Sequence, residues 1–200
     1  MGEPREGWRE KEWREEEMTV KKAVLAAATE LGIVDEVQAY IDGTSEEGQK
    51  QTELLLHCFN IVENELALDY LPLQAEDTFS TNTGVISYQQ LLHSAVRILR
   101  VTNVDGESVK FFIYPEYLKT QPGEVKVVYT YTPKTKTLTE ESDFVLYVSS
   151  RLFAYGMAAE YALATGLYEE AAIWDKKYKE AIEATYRTAP CKRIQSRRWV

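Results

Sequence analysis

Apolar residues recur at helical spacing in two stretches near the start of the chain and two near its end, and at nearly alternate positions between them. From Val20 to Leu31, Val24, Leu25, Ala28 and Leu31 share one face and Gly32 supplies a left-handed stop, so a short amphipathic helix is predicted there. Thr44 followed three residues later by Glu47 has the form of a capping box. Leu54, Leu55, Phe59, Val62 and Leu66 then run at helical spacing towards Asp69 and Pro72, which predicts a longer helix over about 46–68.

The period then shortens from about 3.6 to about 2. Val85 to Gln90, Ala95 to Asn103, Val109 to Tyr114 and Glu124 to Thr132 are rich in Val, Ile, Tyr, Phe and Thr, the composition of strands. Asp105-Gly106 predicts a hairpin between the second and third of these, and Pro122-Gly123 marks the next turn. Helical spacing resumes from Phe144 to Thr165, where Glu140, Glu141 and Asp143 suit the positive end of a helix, and again from Leu167 to Arg187 after Gly166. The expected fold class is α+β: a bundle of about four helices, two N-terminal and two C-terminal, with an antiparallel sheet inserted between them over about 77–135.

Three segments follow from this pattern. Residues 1–17 alternate charges around Trp8 and Trp13 with almost no aliphatic residue, so they form a charged arm without a core face. Met18 then opens MTVKKAVLAAATELG in the manner of a natural start. Residues 18–188 make one α+β domain, which 44% hydrophobic residues supply with a sizeable core. Residues 189–200 are a basic tail.

The net charge of -9 opposes tight binding to a phosphate backbone, and it is unevenly spread. The first 186 residues carry 18 basic and 32 acidic side chains, a net of -14, whereas Arg187, Lys192, Arg193, Arg197 and Arg198 follow with no acidic residue among them. No apolar run approaches the roughly 20 residues that cross a bilayer. Cys58 and Cys191 are far apart and lack a CxxC partner, so they read as free thiols.

Candidate chemistry is sparse. Glu53 and His57 are four apart with Cys58 adjacent, the nearest approach to a metal site, but they lack a matching motif on a second helix and read as polar residues beside a core stripe. His93 reads as a structural histidine, and Glu63 and Glu65 as a solvated helix face. GxGxxG, Walker-type and GxSxG sequences are missing, so neither nucleotide binding nor serine hydrolysis has support, and no catalytic residue, cofactor or metal is assigned.

Two features point to assembly instead. Ala154, Gly156, Ala158, Ala159, Ala162 and Ala164 are interleaved with Phe153, Tyr155 and Tyr161, a surface for close helix packing within the chain or, alternatively, between identical subunits. The tail, APCKRIQSRRWV, sets Ile194 and Trp199 among its arginines, the pairing enriched at binding hot spots. Arg193, Ile194, Arg197, Arg198 and Trp199 are therefore the candidate docking residues, and their partner should present acidic and apolar surface.

FAYGMAAEYALATGLYEEAAIWDKKYKEAIEA closing on RRW, with the middle stretches ILRVTNVDGESVKFFIYPEYL and GEVKVVYTYTPKTKTL, resembles the head-tail connector or adaptor proteins of tailed bacteriophages. The resemblance covers Met18 to Val200 and leaves residues 1–17 outside. It implies a non-enzymatic virion protein of the neck, made in the host cytoplasm. Such proteins form a ring, typically of twelve copies, that docks on the portal protein and receives a downstream neck or tail protein. It further implies that the tail meets the portal while genomic DNA passes through the ring without being held, as an acidic body would favour. The alternative from another class is a cellular binding module that recruits a protein through the Trp-tipped tail. A third is a metal-dependent enzyme using Glu53 and His57.

Overall fold

The computed structural model describes residues 18–144 and 148–188. The chain is α+β: helices α1 (Val20–Leu31), α2 (Val34–Ile41) and α3 (Gln49–Glu65), strands β1 (Leu73–Thr81), β2 (Val85–Ser87), β3 (Ser94–Asn103), β4 (Phe112–Ile113), β5 (Tyr117–Lys119) and β6 (Gly123–Thr132), then helices α4 (Ser150–Ala164) and α5 (Tyr168–Thr188). Among the described residues there are thus five helices where four were expected, and two three-stranded sheets where one was expected.

The helical core gathers Val20, Val24 and Ala27 of α1, Leu55, Phe59 and Val62 of α3, Phe153 and Met157 of α4, and Tyr178 and Ile182 of α5. α1 ends where Gly32 takes φ 74°, the left-handed conformation a Cβ disfavours, and Ile33 N–H closes back on Ala28 O at 2.9 Å. α2 escaped prediction because it is eight residues long and buries only Val37. The capping box is corrected as well. Thr44 Oγ1 donates to Ala39 O at 2.9 Å, Glu47 N–H donates to Ser45 Oγ at 3.1 Å, and α3 begins instead after Gly48. A Cβ on Gly48 would lie 2.1 Å from Glu36 O, so close approach of the α2 backbone sets that start. α3 runs through Leu66–Tyr70 as one π-helical turn.

In the first sheet β6 is central, antiparallel to β1 from Leu73↔Tyr131 to Thr81↔Gly123 and antiparallel to β3 on its other side. Paired on both edges, β6 turns Val125, Val127, Tyr129 and Tyr131 to the core at alternate positions and buries Val128 and Thr130 of its other face as well. β1 was missed because its half-buried positions, Leu73, Ala75, Asp77, Phe79 and Thr81, include an acid and a hydroxyl. The second sheet has the order β2-β5-β4. Its Ile86 and Leu118 pack with Ile98, Val101, Val127 and Tyr129 of the first in a second core, which Leu73 links to the helical one.

The Asp105-Gly106 turn forms, with Gly106 N–H donating to Asn103 O at 3.1 Å, but pairing beyond it lasts only to the Thr102↔Ser108 bridge. The chain then crosses to the second sheet as β4, so the expected 109–114 strand is reduced to Phe112–Ile113. The expected 85–90 strand stops at Ser87, where Ser87 and Gln90 cap a 3-10 turn reciprocally.

Residues 133–144 return the chain to the helices. Asn60 clamps this connector at both ends of one residue, accepting Lys136 N–H at 2.6 Å and donating to Lys136 O at 3.1 Å. Val20 N–H donates to Glu140 O, and Ser142 N–H donates to Met18 O. The acidic residues expected to start α4 belong to this connector: Asp143 pairs with Lys136 Nζ at 2.5 Å and Glu140 accepts Thr137 N–H at 2.6 Å. α4 starts later, capped by Ser149 Oγ, which accepts Leu152 N–H at 3.3 Å.

Candidate functional site

The five residues expected to dock a partner, Arg193, Ile194, Arg197, Arg198 and Trp199, lie outside the described residues, as do Cys191 and the arm 1–17. What is described is the root of the tail. α5 buries Ala171, Tyr178 and Ile182 against the helical core, and the Tyr178 hydroxyl donates to Glu65 Oε2 at 3.5 Å. In its last turns the Tyr186 hydroxyl donates to the Tyr70 carbonyl. Burial, reinforced by Glu65, raises the Tyr178 phenol. The Tyr178 contact holds the middle of α5 to the end of α3, and the Tyr186 contact holds its C-terminal end to the π-helical turn that precedes β1.

The small residues of α4 resolve to packing within the chain. Ala154, Gly156, Ala158, Ala159 and Ala162 are buried between α1, α3 and α5, and only Ala164 of the set is exposed. A Cβ on Gly156 would lie 2.9 Å from both Tyr178 Cε2 and Val62 Cγ1, so this glycine sets how closely α4 seats between α3 and α5.

Glu53 and His57 stay on the exposed side of α3, with Glu53 accepting Gln49 Nε2 at 2.8 Å, while Cys58 turns into the core. One helical step separates the imidazole from the thiol by about 100°, so adjacency in sequence does not bring them together. Burial, with the Glu160 charge, pushes the Cys58 thiol up to about 12. Among the described residues no group of three His, Cys, Asp or Glu side chains is placed to hold a metal ion, and no helix is long and apolar enough to cross a membrane.

Glu63 is not on a solvated face. It is 1% exposed, its Oε1 accepts Ser142 Oγ at 2.7 Å and Asp143 N–H at 3.0 Å, and its buried Oε2 has no hydrogen-bond partner among the described residues. Glu65 is half-buried. Position 63 lies four residues after Phe59, so the core stripe itself carried a signal that the acidic identity masked. The His93 ring stacks on Tyr131 at 4.1 Å, and the His93 backbone N–H donates to the Tyr129 hydroxyl, which donates in turn to Asp77 Oδ2 at 2.8 Å. Burial, reinforced by Asp77, pushes the Tyr129 phenol up to about 12.

Open grooves among the described residues include two with apolar lining. One, of about 560 Å³, runs between α4 and α5 past Arg151, Tyr155 and Lys177, but its cations are engaged: Arg151 Nε donates to the Tyr155 hydroxyl at 2.5 Å and Lys177 Nζ sits 3.9 Å over the Trp174 ring. The other, of about 390 Å³, lies between β3 and β4 and is lined mainly by apolar residues, among them Val96, Ile98, Ile113 and Tyr114. β3 places Val96 on the surface through two bulges. Ala95, Arg97, Ile98 and Arg100 pair with Tyr131, Thr130, Tyr129 and Val128, which leaves Val96 and Leu99 as the extra residues. Inward positions therefore repeat every third residue, at Ala95, Ile98 and Val101, and Val96, Arg97, Leu99 and Arg100 all face outward.

Comparison with protein-family models finds none that matches the chain, and comparison with curated proteins finds no match.

Proposed function

We propose that the chain is a structural docking subunit, the head-tail adaptor of a tailed bacteriophage, which assembles as a ring beneath the portal protein and connects it to the next neck or tail component. In this reading the helices are the frame, the two-sheet unit is an insert between α3 and α4, and the mechanism is binding without turnover.

The observation that carries the proposal is the anchoring of α5. A basic tail carrying Ile194 and Trp199 follows a helix that is tied to Glu65 at its middle and to Tyr70 in its last turn. A tail with a rigid root is presented to its partner at one place, which reduces the orientational freedom lost on docking. The buried polar groups fit a structural role too, since they hold elements together: Glu63 joins α3 to the connector, and Asp77 joins β1 to β6 and the segment before β3. The net of -14 over the first 186 residues suits a channel wall that repels passing DNA.

The test is to mix the purified chain with portal rings and image the product by electron microscopy. A defined second ring stacked on one face of the portal is expected. Portal rings that remain bare at saturating chain overturn the proposal.

A further inference from the structure

Two exposed surfaces on different cores of this chain complement each other. The first is the bulged face of β3, where Val96 (53% exposed) and Leu99 alternate with Arg97 and Arg100, extended by Ile113 and Tyr114 across the groove. It is apolar and basic. The second is the turn between α4 and α5, where Leu163, Leu167 and Tyr168 (72% exposed) are uncovered and Ile173 follows on α5. It is apolar and acidic: Glu169 and Glu170 follow Tyr168 directly and no basic residue lies nearer the turn than Arg151 and Lys176, while Asp175 is paired with Lys179 at 2.7 Å.

We infer that these surfaces meet between copies, the β3 face of one subunit seating on the α4–α5 turn of the next. The occupant follows from charge and shape together. Each surface offers aliphatic and aromatic side chains that the described residues leave uncovered, flanked by charges of opposite sign to the other's, so contact buries both apolar sets while Arg97 and Arg100 face Glu169 and Glu170. A second β3 face would instead set arginine against arginine. The pairing is heterologous, because the two patches differ, and heterologous contacts propagate to a ring when the rotation between subunits closes. For that closure the inference rests on the adaptor reading; the contact itself does not.

The double bulge gives a local reason for this surface. With plain alternation, β3 would turn Val96, Ile98 and Arg100 to one side and send an arginine inward. Two extra residues instead send both arginines and two aliphatic residues out.

Sedimentation of the full chain over a concentration series tests the contact. Wild type is expected to self-associate. The pair Arg97→Glu with Arg100→Glu, and separately the pair Leu167→Ser with Tyr168→Ser, should each weaken that association about tenfold or more. Serine at position 167 is a good cap for α5, so loss of association in the second variant is not loss of the helix. Mixing the two variants is expected to give a one-to-one complex and nothing larger, since each supplies one intact surface. Glu169→Lys with Glu170→Lys should bind the Arg97→Glu, Arg100→Glu chain more tightly than wild type does. Self-association of either first variant at wild-type strength overturns the inference, as does a wild-type chain that stays monomeric throughout. If such a chain still stacks on portal rings, the contact fails and the adaptor reading stands; if it leaves them bare, both fail.

Discussion

Glu63 and Ser142 meet across 79 residues of chain: the Ser142 hydroxyl donates to Glu63 Oε1 at 2.7 Å, and the neighbouring Asp143 N–H joins it at 3.0 Å. One carboxylate on α3 thereby holds the segment that brings the chain back from the two sheets to the helices. Glu63→Ala removes the acceptor of the buried Ser142 hydroxyl and of the part-buried Asp143 N–H, which should cost about 1–3 kcal/mol. Urea unfolding monitored by circular dichroism measures it, and an unchanged midpoint would show that the connector does not depend on this contact.

The same carboxyl makes stability depend on pH. Burial raises Glu63 above its ordinary value of 4.5; the Ser142 hydroxyl, the Asp143 N–H and the Lys136 charge oppose that rise, and the Asp143 charge adds to it. A carboxyl with a raised folded-state value binds its proton more tightly when folded. Its contribution is fully present below 4.5 and is lost as pH rises through the raised value. Glu63→Gln retains an acceptor for Ser142 and Asp143 but cannot ionise. Its stability relative to wild type should therefore increase with pH from about 4 upward. A difference that stays flat across that range contradicts the assignment.

Gly156 separates two opposing effects. Alanine in a helix interior is favoured over glycine by about 1 kcal/mol, but the new Cβ would sit 2.9 Å from the Tyr178 ring and a Val62 methyl, both buried. Overpacking a filled core costs about 1–3 kcal/mol, so the clash wins and Gly156→Ala is expected to lower the melting temperature. A stabilised variant would mean that α4 has room to shift away from α3 and α5.

Cys58 should be inert while the chain is folded, since burial and Glu160 keep it protonated and the core keeps it covered. In a Cys191→Ser background, a thiol reagent is expected to titrate Cys58 only after denaturant is added. Rapid modification in the native state would show that α3 opens locally.

Legibility in the sequence followed how regularly each element buries its side chains. α1 and β6 were readable nearly to the residue, because α1 has one clean stripe ending at Gly32 and β6 sets Val125, Val127, Tyr129 and Tyr131 at alternate positions after the Pro122-Gly123 turn. β1 was hidden because Asp77 occupies a half-buried register position, where it serves Tyr129 and the Leu92 N–H. The acids at 140, 141 and 143 resembled a helix start but serve the connector, a tertiary use that no local pattern shows. Composition disclosed the basic tail but not its anchored root, since the Tyr186 to Tyr70 and Tyr178 to Glu65 contacts span more than 110 residues of chain. The outward turn of Val96 and Leu99 depends on bulges set by pairing with β6, which the spacing of AVRILRV alone does not reveal.

The adaptor reading is tested most directly by portal binding with and without residues 191–200. The full chain should co-purify with portal rings. The shortened chain, whose α5 and helical core remain complete, should keep its circular dichroism spectrum and melting temperature yet fail to bind. A folded, shortened chain that still co-purifies with portal would contradict docking through the tail.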